Sequence, residues 1–285
     1  MAPRYAKPSN LSEALRLLQE DEWTILAGGT DFYPAHSEKP IRGNVLDING
    51  LTELRGISEN ESHIVIGART TWTDITNHPL PAAFGSLKLA AREVGSIQIQ
   101  NRGTVAGNLC NASPAADGVP PLLALEAEVE FRSAEETRTL PLSQFILGNR
   151  KTALRSGELV TAIRIPKAAT VGTSGFVKLG ARRYLVISIA MAAARVTVLE
   201  GRIAGIALAV GSCSAVAQRL HGLERELLGT GPRTISSIVS AYEFPELSPI
   251  DDVRGSANYR REAAREIVVR ALFQALGDER GGLAA

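Results

Sequence analysis

Two glycine loops constrain this chain more than any other feature of it. The first, Ala27-Gly28-Gly29-Thr30-Asp31, follows a short β-prone run, Thr24 to Ala27. The second, Gly103-Thr104-Val105-Ala106-Gly107-Asn108, runs on into Asn111-Ala112-Ser113-Pro114-Ala115-Ala116-Asp117. Glycine lets a backbone approach a ligand closely and turn its N–H groups toward it, while Thr, Asn and Asp add hydroxyl, amide and carboxylate partners. Such a set suits the phosphates and sugar hydroxyls of a dinucleotide. A Gly-Gly-Thr-Asp after a strand also serves as a plain turn, and the residues alone leave both readings open. Neither stretch is a G-x-G-x-x-G opening a helix or a G-x-x-x-x-G-K-[ST], so a Rossmann site and a P-loop are unsupported.

The remainder of the composition narrows the class. At 285 residues with 45% hydrophobic content, the chain can fill a sizeable core in two domains or one large one. With 31 Lys+Arg against 30 Asp+Glu there is no electrostatic footprint for nucleic acid or an anionic membrane. The most apolar run, Leu185 to Ala194, falls short of the roughly 20 residues that span a bilayer. The opening MAPRYAKPSN lacks a hydrophobic signal core, so no membrane span and a cytoplasmic location are expected. Cys110 and Cys213 lie far apart without C-x-x-C spacing, which rules out an iron–sulfur cluster or zinc site built by this chain alone. Cys110 reads as a small core residue. His36, His63, His78 and His221 are scattered and form no metal pattern.

Along the chain, Leu11, Ala14, Leu15 and Leu18 share one helical face, with Ser9 or Asn10 as N-cap and Glu13 placed to complete a capping box from Asn10. Val45 to Ile48, Ile64 to Ala68 and Ala127 to Arg132 read as strands, and Phe84 to Val94 as a helix leading to the second glycine stretch. Pro120-Pro121 opens a helical turn through Leu125. The unpatterned Pro166 to Gly175 reads as a connection between domains. Beyond it, Ser188 to Leu199 and Arg202 to Val210 flank Glu200-Gly201 as a hairpin, and a final helix turns Ile267, Val268, Ala271, Leu272 and Ala275 inward. Short helices and strands without βαβ alternation predict an α+β fold.

The stretch Gly95 to Leu125, GSIQIQNRGTVAGNLCNASPAADGVPPLLAL, together with ILAGGTDF at Ile25 to Phe32, resembles the FAD-binding subunit of the molybdenum hydroxylases. FVKLGARRY at Phe176 to Tyr184 and DDVRGSANYRREAAREIVVRAL at Asp251 to Leu272 resemble the second domain of those subunits, and GELVTAIRIP at Gly157 to Pro166 resembles its entry strand. The resemblance covers nearly the whole chain. It implies an FAD-binding domain of the p-cresol-methylhydroxylase type at 1–168, with lobes of about 1–57 and 58–168, followed by an α+β domain like that of the carbon monoxide dehydrogenase flavoprotein at 172–280. It also implies noncovalent FAD, with a molybdopterin large subunit and a [2Fe–2S] small subunit as partners in a dimer of heterotrimers. In such a complex this chain relays electrons from the clusters through FAD to an acceptor. The reductase branch carries a cysteine-rich insert with no counterpart here.

Carried over by position, the cofactor contacts are Ile25, Leu26, Ala27, Gly28, Gly29, Thr30, Asp31 and Phe32 in the first stretch and Thr104, Gly107 and Asn108 in the second. Asp117 matches an acidic residue that accepts from cofactor hydroxyls, and Leu159 an apolar contact. Asp31 fixes the turn rather than facing a phosphate, since two anions repel. Many relatives have Gly-Gly where this chain has Ala106-Gly107, and Val94 stands where some place an aromatic, so no stacking role falls to Val94. Lys178 is placed near the flavin, where a cation stabilises the reduced anion; a solvated basic surface with Arg182 or Arg183 is the alternative. Tyr184 either shields the ring or is a buried structural tyrosine. Two rival functions share the cofactor fold: a self-contained flavin oxidase or reductase, and an assembly subunit with no redox role.

Overall fold

The computed structural model describes residues 3–36 and 40–277. The chain begins with β1 (Tyr5–Ala6), α1 (Leu11–Glu20), β2 (Trp23–Leu26), α2 (Phe32–His36) and β3 (Asn44–Asp47). These form a three-stranded parallel sheet of order β1-β3-β2. The α1 periodicity turns Ala14, Leu15 and Leu18 onto Leu46, Ile48, Leu51 and Leu54, and Leu159 from far along the chain joins them. Burying the two helical leucines contributes about 3–6 kcal/mol, an upper figure for a compact unfolded chain. Asn10 is the N-cap, its Oδ1 accepting from Glu13 N. The expected box is displaced by one residue, because Glu13 Oε2 accepts from Ser9 N.

A second unit follows: β4 (Ile57–Glu59), β5 (His63–Gly67), α3 (Trp72–Asn77), α4 (Gly85–Glu93), α5 (Ile97–Arg102), α6 (Val105–Asn111), α7 (Val119–Ala124), β6 (Glu128–Arg132), β7 (Thr137–Pro141), α8 (Leu142–Phe145), β8 (Ile146–Gly148), β9 (Lys151–Thr152) and β10 (Leu159–Pro166). Its antiparallel sheet has the order β4-β5-β10-β6-β7. Trp72, Phe84, Leu87, Leu109, Phe131 and Phe145 are fully buried in its core. The Gly157 to Pro166 segment is therefore not an entry strand to the later part of the chain: β10 is the middle strand here, Ile163 pairing with Ile66 on one side and Val129 on the other. Its unbroken buried run, Leu159 to Ile163, is what a strand covered on both faces requires.

The second glycine stretch is likewise more helical than its composition predicts. Thr104 caps α6, its Oγ1 accepting from Gly107 N at 3.0 Å, so Gly107 lies inside a helix. Between Pro166 and Gly175, a 3₁₀ turn at Lys167–Thr170 precedes the next strand.

The last unit consists of β11 (Thr173–Leu179), β12 (Ala190–Leu199), β13 (Arg202–Gly211), β14 (Gln218–Arg219), α9 (His221–Leu227), α10 (Ile235–Ala241) and α11 (Ala257–Ala275), the strands antiparallel in the order β11-β12-β13-β14. Glu200 and Gly201, both at positive φ, make the tight hairpin turn. Along β12, Ala190, Ala192 and Ala194 face α11, while Met191 and Ala193 face Ala90 of α4 and Ala124 of α7. Small side chains let helices press onto both faces of this strand. Arg195 locks the seam, Nε donating to Ala124 O at 2.9 Å and Nη2 pairing with Glu126 at 2.9 Å. The mixture of small sheets and packed helices is the predicted α+β class.

Candidate functional site

The first glycine stretch leaves the carboxyl end of β2 and reaches across to the second unit. An added Cβ on Gly28 would lie 2.1 Å from the carbonyl oxygen of Arg102, so only glycine allows the two stretches to meet. Gly29 has φ +76, and a Cβ there would stand 2.8 Å from the Tyr33 ring. The turn feeds α2 through Gly29 O and Asp31 O, which accept from Tyr33 N and Ala35 N. In the other direction, no described residue accepts from the backbone N–H of Gly28, Gly29, Thr30 or Asp31. Four consecutive donors are thus left to solvent or a ligand.

The turn lines a cleft of about 540 Å³ between the first two units, a size suited to a small-molecule site. Ile25, Ala27, Gly28, Gly29, Thr30, Asp31 and Phe32 line one wall. Thr104, Gly107, Asn108 and Leu159 line the other. Asn108 carries a second unmet requirement: its Oδ1 is buried and has no partner among the described residues. A buried amide is normally paired, so this vacancy and the donor row agree in pointing to a polar ligand. Thr104 uses one acceptor lone pair of its hydroxyl on the helix cap, which leaves its O–H donor and a second lone pair.

Four candidates stand apart from this cleft. Leu26 is buried behind the turn, against a shallow groove with Tyr33. Asp117 lies at the seam with the last unit: its Oδ2 accepts from Lys178 Nζ at 2.6 Å and its Oδ1 from Ser188 Oγ at 2.7 Å. Burial pushes the Asp117 carboxyl above its ordinary value, opposed by the Lys178 ammonium and both hydrogen bonds. The expectation that Asp117 offers its oxygens to the cofactor meets a carboxylate already engaged by its own chain, although lone pairs remain. Lys178 is buried, which removes the solvated-surface alternative for it, and it also donates to Glu93 O at 3.3 Å. That carbonyl immediately precedes Val94, which lines the cleft, while Lys178 and Glu93 themselves line a separate hollow with Arg182 and Arg183. Tyr184 is 61% exposed, with the Arg183 guanidinium over its ring, so it is not a buried structural tyrosine.

Several residues absent from the sequence-based set belong to the cleft. Trp72 is fully buried beneath it, its N–H donating to Gly103 O, and Ile99, Asn111 and Arg150 line its walls. Val94 lines it as well. Cys110 is not a core residue: its side chain is accessible from the cleft, yet the protein packed around it pushes the thiol up to about 12, leaving it protonated. Thr104 was the signal for α6, a capping threonine three residues before the N–H it receives. Among the described residues no His, Cys, Asp and Glu cluster to hold a metal, and no helix is long and apolar enough to cross a membrane.

This architecture is shared with known proteins. Residues 1–168 match the FAD binding domain in molybdopterin dehydrogenase, and residues 176–275 the CO dehydrogenase flavoprotein C-terminal domain. The chain is 31% identical to the nicotinate dehydrogenase FAD-subunit of Eubacterium barkeri, over 96% of both chains. It is 30% identical to the glyceraldehyde dehydrogenase medium chain of Sulfolobus acidocaldarius, over 94% of this chain and 96% of that one. A solved carbon monoxide dehydrogenase from Hydrogenophaga pseudoflava matches 98% of both chains with a TM-score of 0.86 at 29% identity. With its glycine turn, its cleft and both domains accounted for, the chain belongs to the family of FAD-binding subunits of the molybdopterin dehydrogenases.

Proposed function

We propose that the cleft holds one FAD noncovalently and that the chain is the electron-transfer flavoprotein of a molybdenum hydroxylase or dehydrogenase complex. The observation that carries this reading is the row of unpartnered N–H groups from Gly28 to Asp31, in a cleft that also holds the unpaired amide of Asn108. The Ile25 to Phe32 turn, backed by Leu26, solvates the diphosphate through the backbone, as oriented N–H groups do without any lysine. Thr104 and Asn108 address cofactor hydroxyls and amides, Gly107 lets the cofactor lie close to α6, and Leu159 gives an apolar contact. Asp117, Lys178 and Tyr184 are assigned to the flavin end, where the Lys178 ammonium favours negative charge nearby. When bound, the flavin supplies the redox chemistry, and the protein supplies position and electrostatics. No acid, base or nucleophile from this chain is required.

We assign 1–168 to the FAD-binding domain, in lobes of about 1–57 and 58–168, and 172–280 to the second domain, of which 278–280 lie outside the described residues. The names of the relatives, medium chains and subunits of dehydrogenase complexes, support partner subunits, to which we assign the molybdopterin and the [2Fe–2S] clusters. We extend this to a dimer of heterotrimers in the cytoplasm. Co-purification from the native source should recover molybdenum and iron with this chain, and acid precipitation should release its flavin. The isolated chain should at most oxidise NADH or reduce a dye through its flavin. Turnover of an aldehyde or N-heterocycle by the isolated chain, free of molybdenum and iron, at the rate of the native preparation would establish the self-contained oxidase instead.

A further inference from the structure

A diphosphate is a dianion, and backbone N–H groups answer it only with partial charge. Two carboxylates line the same cleft, Asp31 and Glu158. Glu158 is neutralised, because Arg138 forks onto both its oxygens and Arg155 N donates to Oε2 at 2.7 Å. Asp31 is not: among the described residues no cation lies against it, and its Oδ1 accepts from Asn111 Nδ2 at 3.2 Å. A dianion entering beside Asp31 therefore needs a compensating charge. Among the described residues that line the cleft, Arg150 alone carries a permanent positive charge.

Arg150 sits at the tip of the β8–β9 hairpin and is held there. Its backbone is left-handed, φ +57, and its N–H donates to Ala112 O at 3.1 Å. A non-glycine residue keeps that conformation only where its surroundings hold it. The guanidinium donates to Asn111 Oδ1. Asn111 accepts from Arg150 and donates to Asp31, so one side chain joins the cation to the last residue of the donor row. Arg150 leaves most of its donors free for a ligand, since a guanidinium offers five.

Resting on the reading that the cleft takes FAD, we propose that Arg150 is the fixed positive charge this chain sets against the cofactor's diphosphate, and that it selects the dinucleotide flavin over flavins lacking a diphosphate. Asn111 is the positioning residue that keeps the guanidinium beside the turn.

The test compares FAD and riboflavin binding to the full apo-chain by flavin fluorescence, for wild type, Arg150→Gln, Arg150→Lys and Asn111→Ala, at low and high ionic strength. Arg150→Gln should weaken FAD by about ten- to a hundredfold, the value of a hydrogen bond to a charged group, and leave riboflavin unchanged. Arg150→Lys should recover most of that loss, and Asn111→Ala should fall between. Wild-type FAD affinity should drop with salt more steeply than riboflavin affinity, which checks the charge without any variant. FAD binding by Arg150→Gln as tight as wild type overturns the proposal, as does an equal loss for FAD and riboflavin, the mark of a purely structural strap. A wild-type chain that binds no FAD would instead remove the cleft reading itself.

Discussion

The turn from Gly28 to Asp31 leaves four backbone donors unanswered beside an open cleft, whereas Asp117, buried at the seam, has both oxygens answered by Lys178 and Ser188. Both were expected from the sequence to touch the same cofactor. Their physical states differ: the turn leaves its donors to solvent or a ligand, and the seam is paired within the chain. Polar groups without a protein partner beside a cavity therefore mark where a ligand can be received, while a satisfied buried pair marks what holds the walls together, whatever else it touches.

The sharpest way to break this contrast is to remove one member of the seam. Asp117→Ala leaves the Lys178 ammonium buried and uncompensated, and should destabilise the apo-chain by about 3–5 kcal/mol in denaturant titrations. Adding Lys178→Met should restore much of the loss, because an apolar pair of similar volume avoids the desolvation cost. An unchanged midpoint for Asp117→Ala would show that the seam is not a structural joint.

Gly28→Ala is the corresponding test of the turn. Its methyl meets the Arg102 carbonyl, so the two glycine stretches must part, at a cost of about 1–3 kcal/mol in stability and with a loss of FAD retention. Wild-type stability and flavin content in this variant would contradict the close approach.

Asn108→Ala separates ligand from fold. Its amide oxygen has no partner among the described residues, so apo stability should stay within about 0.5 kcal/mol of wild type. FAD affinity should fall by about one to two decades, and Cys110→Ala should leave it unchanged. Equal FAD affinities in the two variants would take Asn108 out of the site.

The smallest effect distinguishes two carboxylates by the sign of their pH response. Burial raises Glu158, but Arg138 and the Arg155 N–H more than offset it, holding the carboxyl below its ordinary value. That depressed group contributes stability in full above the unfolded value of about 4.3, and the contribution is lost as pH falls through the folded value. Asp117, raised by burial, acts in the opposite sense, its contribution declining as pH rises through its folded value. The stability gap between wild type and Glu158→Gln should accordingly shrink as pH falls below about 4.3 and through the folded value. A gap independent of pH would refute the Glu158 assignment.

What the sequence disclosed was local. The Glu200-Gly201 turn, the Asn10 cap and the inner face of α11 depend on residues a few positions apart, and each stands where turn chemistry or helical spacing put it. Long-range pairing was hidden. Leu159 to Pro166 reads as a strand in isolation, but nothing in it names β5 and β6 as its neighbours. Composition also misled: two glycines suggested a loop at 103–108, while Thr104 and the apolar Val105 and Leu109 were already sufficient for a capped helix. Of the cofactor candidates, the contiguous runs line the cleft because a run shares one turn. Asp117 and Lys178, 61 residues apart, meet only through packing, and their pairing left no trace in spacing. Arg150 was missed because its significance lies in the charges around it.

The Gly28–Arg102 approach is made by main chain on both sides, so no side-chain rotation can relax it. The two walls of the cleft are therefore coupled: whatever shifts the backbone at one glycine stretch is felt at the other. A substitution in the turn and one near Arg102 should accordingly act on the same property of the cleft, and their effects should not add.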